Sequence, residues 1–391
     1  MELFKITNAC YEDDFIWCTT FHDPYLYKID IQSGNMDAVT KILDDTENFE
    51  SYIYLFLTKE VFIFVPIAQD KLIVMERETL QQSIYDIPFK NHFNDTPNLK
   101  FFPLFLNGII YDSNLYFWGA MYDGIIKFNL TDKQFSIIDD FVKKLQIKHF
   151  NEILTIFYYT KIEDTIFLPF ANSNAVLEFS LKDESTILHY VGDEKQRYIS
   201  CAFDDEYIWL IPRNILTGKI IKWNPKNNII KKYENYPENL YQNFAGAFEQ
   251  CLRIDDYILV LSRVMPIADD KSNSEDVNLK INIKTDNTEA FPDCYKIVPN
   301  FGMKYSCVHL NGDIIFFIDD LNIIKYNFKT NTFEALPIKP TEKVIKYVEQ
   351  SVDEKLKFIF KPNANGTSAI YGEQKQITLS HLIKFLTSSD N

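Results

Sequence analysis

One pattern constrains this chain more than any other: a run of four bulky residues that returns eight times along its length. The runs are Phe15–Cys18, Val61–Phe64, Leu115–Trp118, Thr165–Leu168, Tyr207–Leu210, Tyr257–Val260, Ile314–Phe317 and Lys357–Phe360. Trp17, Ile63, Phe117, Phe167, Trp209, Leu259, Phe316 and Ile359 hold the same place in each copy, separated by 46, 54, 50, 42, 50, 57 and 43 residues. A period near 50 over a whole chain signals a repeat architecture, and it has to be recognised before any local reading.

A second element follows most runs and alternates apolar, Lys, apolar, Asn or Asp. It occurs at Tyr27–Asp30, Ile126–Asn129, Ile221–Asn224, Leu279–Asn282 and Ile324–Asn327, with a looser copy at Leu177–Ser180. Period-two alternation marks a half-buried strand, so the lysines are expected on the wetter face. The closing Asn or Asp is expected to begin a turn. A further strand follows, as at Phe135–Ile138, Ile229–Lys232 and Phe333–Leu336. Another precedes the bulky run, as at Ile199–Phe203 and Tyr305–His309. Acidic pairs and clusters such as Asp13-Asp14, Glu163-Asp164, Asp204-Asp205 and Asp255-Asp256 join that first strand, A, to the bulky strand B, and they read as hairpin turn formers. Each repeat is thus strand A, tight turn, bulky strand B, loop, alternating strand C, turn, strand D.

A single four-stranded meander cannot bury both of its faces, so neighbouring repeats must cover them. Strands of type B, apolar on successive residues, suit a strand pressed between two sheets. A linear stack would need polar caps at its ends, and none is evident. The expectation is an all-β protein, a β-propeller of seven or eight four-stranded blades, with the copy count favouring eight. The chain reads as one domain, residues 1–391, with repeats at roughly 3–50, 51–100, 101–145, 146–195, 196–245, 246–298, 299–340 and 341–386. In the eighth repeat residues 367–378 are weak in pattern and Leu379–Leu386 suits a short helix. The segment Tyr27–Gly34 (YKIDIQSG) resembles the repeats of bacterial β-propeller proteins, in which a strand ending Lys-Ile-Asp precedes a Ser-Gly or Thr-Asn turn. The likeness is generic, lacks the signatures of kelch, WD and sialidase repeats, and implies architecture without an activity.

Composition bounds the partners. Aromatics make up 15% of the chain, enough for a large β core, and the formal charge is −15. Nucleic acid is an unfavourable partner for such a surface, because polyphosphate binding rests on cationic groups that release counterions. Six cysteines, Cys10, Cys18, Cys201, Cys251, Cys294 and Cys307, show no metal or redox spacing. They are expected to be reduced and mostly buried. The first residues read as strand and not as an export signal, and no segment has the roughly 20 apolar residues of a membrane span. A cytoplasmic protein without membrane contact is expected.

Residues that break the repeat are the candidates for function. Four places after the aligned strand B position, repeats five and six carry Arg213 and Arg263, two of only five arginines. Side by side in adjacent blades they would form a fork for a carboxylate or phosphate. Each pairing with a nearby acid is the plainer alternative. Asn214, His22, Asp23, Asp123, Asn172, Asn174, Asp319 and Asp320 occupy B–C loops and join them as candidate ligand contacts on one face of the blades, where simple solvation is the plainer reading. Repeat six adds a long polar B–C insertion, Ile267–Asp276, and the connections 91–98, 140–149 and 236–249 are long enough for short helices or flaps. The six histidines have no metal-binding spacing, and no nucleophile elbow, phosphate loop or dinucleotide fingerprint occurs, so no cofactor or metal is expected. These observations favour a binding module that presents loops to a protein, peptide or glycan. A propeller hydrolase or lyase with carboxylates gathered at the mouth is the alternative, and an assembly scaffold is a third.

Overall fold

The structure is a computed structural model that describes residues 6–20, 24–42, 52–66, 70–88, 104–120, 124–145, 155–212, 218–236, 247–263, 279–290, 308–311, 314–318 and 322–359. Among them the bulky runs, alternating strands and turns assemble into seven four-stranded antiparallel sheets. Blade one comprises β1 (Ile6–Glu12), β2 (Phe15–Thr20), β3 (Tyr25–Asp30) and β4 (Asn35–Lys41), and blade two β5 (Tyr52–Leu57), β6 (Val61–Pro66), β7 (Lys71–Glu76) and β8 (Gln82–Asp86). Blade three holds β9 (Leu104–Tyr111), β10 (Asn114–Ala120), β11 (Ile125–Asn129) and β12 (Phe135–Ile138). Blade four holds β13 (Thr160–Ile162), β14 (Thr165–Pro169), β15 (Ala175–Ser180) and β16 (Thr186–Tyr190). Blade five contains β17 (Tyr198–Phe203), β18 (Ile208–Pro212), β19 (Ile221–Asn224) and β20 (Ile229–Lys232), and blade six β21 (Ala247–Ile254), β22 (Tyr257–Arg263), β23 (Leu279–Asn282) and β24 (Thr288–Ala290). Blade seven is β25 (Val308–Asn311), β26 (Ile314–Ile318), β27 (Asn322–Asn327) and β28 (Thr332–Pro337); β29 (Lys339–Pro340) and α1 (Glu342–Ile359) follow. The protein is all-β and of the β-propeller class, with seven blades among the described residues.

Two compact units are distinguished: Met1–Phe64, Ile73–Ser83 and Ser306–Asn391 form one, and Val65–Leu72 with Ile84–Tyr305 form the other. In the first, Phe316 and Ile323 of blade seven share a core with Ile16, Tyr27 and Met36 of blade one. In the second, consecutive blades three to six pack face to face: Trp118 with Leu168 and Phe179, Phe167 and Val176 with Trp223, and Trp209 with Val260 and Ile281. Strands of type B are buried on both faces, as all five residues of β18 show. Burying a side chain of this size contributes about 1.5–3 kcal/mol, which is why the four-residue runs are the strongest signal in the sequence.

The turns explain the rest of the repeat. Each closing Asn or Asp of strand C folds its side chain over the turn: Asp30 Oδ1 accepts from the N–H of Gln32 and Ser33, Asn129 Oδ1 from Thr131 and Asp132, Asn282 Oδ1 from Lys284 and Thr285, and Asn327 Oδ1 from Lys329 and Thr330, all within 2.7–3.1 Å. The turn ends on a left-handed residue at one equivalent place in all seven blades: Gly34, Leu80, Lys133, Glu184, Asn228, Asp286 and Asn331, with φ from 54° to 76°. The A–B hairpins use the same conformation at Asp13, Asp112, Glu163, Asp205 and Asp255, a region in which Asn and Asp are enriched. Their acidity therefore serves the backbone.

The strand C lysines depart from expectation. Lys222 and Lys280 are buried, and Lys28 and Lys127 are half-buried. Each faces an aromatic of strand B: the Lys28 ammonium lies 3.5 Å from the Phe15 ring centroid, Lys222 4.6 Å from that of Trp209, and Lys280 4.5 Å from that of Tyr257. Antiparallel register places them there, since Lys28 is opposite Trp17 and Lys222 opposite Trp209. In three of the four the charge is answered by an acid: Lys127 pairs with Glu184 and Lys222 with Asp286 at 2.7 Å, each the left-handed turn residue of the next blade, and Lys280 meets Glu289 at 3.4 Å. A long alkyl stem on an aromatic face with its ammonium on a carboxylate is stable without open water.

The eighth copy is not a blade strand. Lys357–Ile359 end α1, and Phe360 onward, including residues 367–378 and 379–386, lies outside the described residues. Upstream of the bulky run, Val344 and Val348 recur at helical spacing, and both are fully buried against blade one. That period outweighs three residues of strand pattern. The link into the helix is β29, which pairs in parallel with the outer edge of β4 through Lys339 N–H to Gly34 O at 2.8 Å and Thr341 N–H to Met36 O at 3.0 Å. Blade one thereby gains a fifth strand.

Candidate functional site

Most of the B–C loop candidates lie outside the described residues: His22, Asp23, Asp123, Arg213, Asn214, Asp319 and Asp320, together with the insertion 267–276. Arg263 closes β22 opposite Ala247. Asn172 and Asn174 share the β14–β15 connection. Asn174 is buried; its Nδ2 donates to Gly192 O at 3.3 Å and its carbonyl accepts from Val191 N–H at 2.9 Å. This asparagine splices two loops of its own blade, which is a structural task. The connection 140–149 does carry a short helix, a single 3-10 turn at Val142–Lys144.

A cavity of about 580 Å³ lies on the first strands of blades three to six. These strands approach one another edge to edge, and Ser200 of β17 shows how: its Oγ accepts from Cys251 N–H of β21 at 3.0 Å. Polar residues interrupt the apolar pattern here. Lys161 is exposed at one side, and Gln250 and Arg253 come from β21. Asn107 bridges blades three and four, donating from Nδ2 to Phe157 O at 2.9 Å while its Oδ1 accepts from Gly108 N–H. Tyr159 rests edge-on against Trp118 with centroids 5.3 Å apart, and burial pushes its hydroxyl pKa up.

The electrostatics of the lining are settled by its own pairs. Asp205 is the lining carboxylate, and Arg253 binds it, which holds the carboxyl below its usual range and raises the guanidinium. Two thiols, Cys201 and Cys251, complete the wall. Burial raises both, Cys251 to about 12, so neither is an attacking thiolate at neutral pH. None of Cys10, Cys18, Cys201 and Cys251 forms a disulfide. Among the described residues no three His, Cys, Asp or Glu side chains converge as metal ligands, and no helix is long and apolar enough to cross a membrane.

A second cleft, of about 800 Å³, runs between Asn235-Tyr236 and the turn of blade six. Its hydrogen bonds close on themselves: Asn235 Nδ2 donates to Asp286 O, and Thr288 Oγ1 donates to Asn235 O. Glu289 is held by Tyr257 and Lys280. This is a joint between blades. His189 lies 2.7 Å from Glu178 and tilts against Trp223 with centroids 4.8 Å apart, but on the outer strands of blade four and in neither cavity.

Sequence reasoning passed over Lys161, Gln250 and Arg253 because it compared loops, whereas these residues stand on strand A. A usable signal was present: Arg253 is another of the five arginines, and Asn107, Lys161 and Gln250 put polar groups into strands that are otherwise apolar.

No protein-family model matches the chain. No curated protein sequence matches it either. Solved structures do. A computationally designed protein, Ika8, aligns with a TM-score of 0.53 at 8% identity, covering 85% of this chain and 86% of that one. The extracellular domain of a provisionally assigned one-component system from B. thetaiotaomicron aligns at 0.52 and 10% identity over 82% of this chain, which spans 38% of that longer protein. A protein provisionally named a 6-phosphogluconolactonase from Bacteroides uniformis aligns at 0.51 and 12% identity, over 81% and 93% of the two chains. Identities this low speak for a common fold alone, and the chain is similar to these proteins in its arrangement of blades.

Proposed function

We propose that the chain is a non-catalytic binding module for a protein, peptide or glycan, and that the cavity on the first strands of blades three to six receives a polar group of that partner. The chemistry of the lining carries the reading. Its thiols are held protonated, Asp205 is neutralised by Arg253, and Asn107 is committed to a backbone bridge. Lys161 and Gln250 then serve as directional groups beside the aromatic wall of Tyr158, Tyr159 and Phe203. Such a lining orients a ligand by hydrogen bonds and stacking, whereas acid–base chemistry calls for two titratable groups driven apart in pKa. Arg213 and Arg263, with the B–C loop residues around them, are proposed as a separate anion-binding contact. A reducing, cytoplasmic setting suits the described cysteines, which form no disulfide.

The test is a screen of the purified chain on glycan and peptide arrays, followed by affinity measurements on every positive. Lys161→Glu with Arg253→Glu is expected to weaken cavity ligands at least tenfold, and Arg213→Glu with Arg263→Glu those of the loop face. Positives that keep their affinity in both double variants, or arrayed substrates cleaved by the wild-type chain, would overturn the proposal.

A further inference from the structure

The outer edge of blade five is exposed along its whole length. All four residues of β20 are solvent-exposed, and Ile229 and Ile230 are among the few large apolar side chains of the described residues left in water, at 44% and 39%. Being last in its sheet, the strand leaves one row of backbone groups without a strand partner among the described residues. Register identifies the row. Tyr233 N–H bonds inward to Ile220 O, and Lys231 is opposite Lys222, so alternation turns the N–H and C=O of Ile230 and Lys232 outward.

Blade one shows what such an edge accepts. Counting from the left-handed turn residue, Gly34 corresponds to Asn228, Met36 to Ile230, Asp37 to Lys231 and Ala38 to Lys232. In blade one the outward carbonyls of Gly34 and Met36 accept from the parallel strand β29. That strand carries Lys339, whose Nζ donates to Ser33 O, and Lys343 at the start of α1 donates to Ala38 O; beside Asp37 stands Thr341, whose Oγ1 donates to Asp37 Oδ1 at 3.0 Å. Blade five inverts the charge, with lysines in place of Asp37 and Ala38. The corresponding positions of the other blades hold no lysine pair: Ser83-Ile84, Ser136-Ile137, Ile187-Leu188, Glu289-Ala290 and Glu334-Ala335.

We propose that the β20 edge binds an extended peptide as a parallel fifth strand, with two apolar residues beside Ile229 and Ile230 followed by two acidic residues beside Lys231 and Lys232. Each face of β20 carries one isoleucine and then one lysine, so a partner alternating across the same two faces needs an apolar pair before an acidic pair. Main-chain bonds would supply affinity and side chains the specificity, as in strand addition generally. Lys232 already meets Asp193 at 3.5 Å, but both side chains are more than half exposed and exchange partners at little cost. The close approach of Pro337 to Gly34 has no counterpart at Asn228, so pairing starts at Ile230.

The probe is a fluorescein-labelled Thr-Val-Val-Glu-Glu-Thr peptide, compared by anisotropy with Thr-Val-Val-Lys-Lys-Thr and with Thr-Glu-Glu-Val-Val-Thr. The acidic peptide is expected to bind at least tenfold more tightly than the basic one and more tightly than the reversed one. Ile230→Pro removes an outward N–H without touching the internal ladder, and it is expected to weaken binding at least tenfold at an unchanged melting temperature. Lys231→Glu with Lys232→Glu is expected to transfer the preference to the basic peptide. The Lys161→Glu, Arg253→Glu variant is expected to bind the acidic peptide normally; loss of binding there would assign it to the cavity and overturn the rim site. The proposal also fails if no binding is detected up to millimolar peptide, if the reversed peptide binds best, if Ile230→Pro has no effect, or if sedimentation reveals a dimer that Ile230→Pro dissolves.

Discussion

Lys222 offers a direct test of how adjacent blades are joined. Its side chain is 9% exposed, its ammonium lies 2.7 Å from Asp286 and 4.6 Å from the Trp209 ring centroid, and Asp286 is itself 44% exposed. Lys222→Met keeps most of the stem and removes the charge. What is lost is an ion pair discounted by the open carboxylate to about 1 kcal/mol and a cation–π contact of about 1 kcal/mol. Against this, a buried ammonium no longer has to be desolvated, so the net cost is expected near 1 kcal/mol. Lys222→Ala also deletes about three buried methylenes at about 0.8 kcal/mol each and is expected to cost about 3 kcal/mol. Asp286→Asn strands the ammonium in the seam and is expected to cost about 2 kcal/mol, more than Lys222→Met; its left-handed backbone, φ 54°, tolerates Asn. The double variant Lys222→Met, Asp286→Asn is expected to be more stable than Asp286→Asn alone. Urea unfolding followed by tryptophan fluorescence, compared at constant slope, reads all four. If Asp286→Asn is neutral and Lys222→Ala no worse than Lys222→Met, the lysine is merely solvated and the account of the seam is wrong.

Other outcomes follow from the same geometry. Arg77 grips Glu12 through both carboxylate oxygens and holds its pKa below the ordinary 4.5. The stability this adds is present above the unfolded value and lost as pH falls through the depressed one, so below about pH 4.5 the wild type is expected to lose an advantage that Arg77→Met never had, as read by denaturant midpoints across pH. In a variant whose only cysteine is Cys251, a thiol pushed up to about 12 is expected to react with a disulfide reagent at pH 7 at least a thousandfold more slowly than a free thiol, and labelling within seconds would contradict its burial. Gly34→Ala would bring a Cβ within 2.2 Å of Pro337 O at φ 76° and is expected to cost about 2 kcal/mol or more, measured by unfolding, with early loss of the helical circular dichroism signal.

The blades were readable because two independent periods agree in them. Strand B must be apolar on both faces, and the closing Asn of strand C must fold over its turn; both demands are local and leave a residue signature at fixed spacing. Three features were not readable. The lysines looked solvent-facing because alternation reports which side of a strand a residue takes, while the depth of that side depends on the neighbouring sheet. Ile359 matched the strand B pattern, yet Val344 and Val348 lie in the same stretch at helical spacing, and burial against blade one decided between the two periods. The cavity was missed because its polar residues come from three first strands and the turn after a fourth, each contributing one or two, and no single repeat shows the set.

The left-handed place at the end of every C–D turn has a consequence for how such a chain changes over time. Its backbone shape tolerates Gly, Leu, Lys, Glu, Asn and Asp alike, so the side chain there is released from holding the turn. In blades four and six it reaches across to the preceding blade as Glu184 and Asp286, whereas in blade five Asn228 instead accepts from Trp223 of its own sheet. One codon at this place can therefore strengthen or loosen a single junction, and make it sensitive or indifferent to salt, while the strands on either side stay as they are.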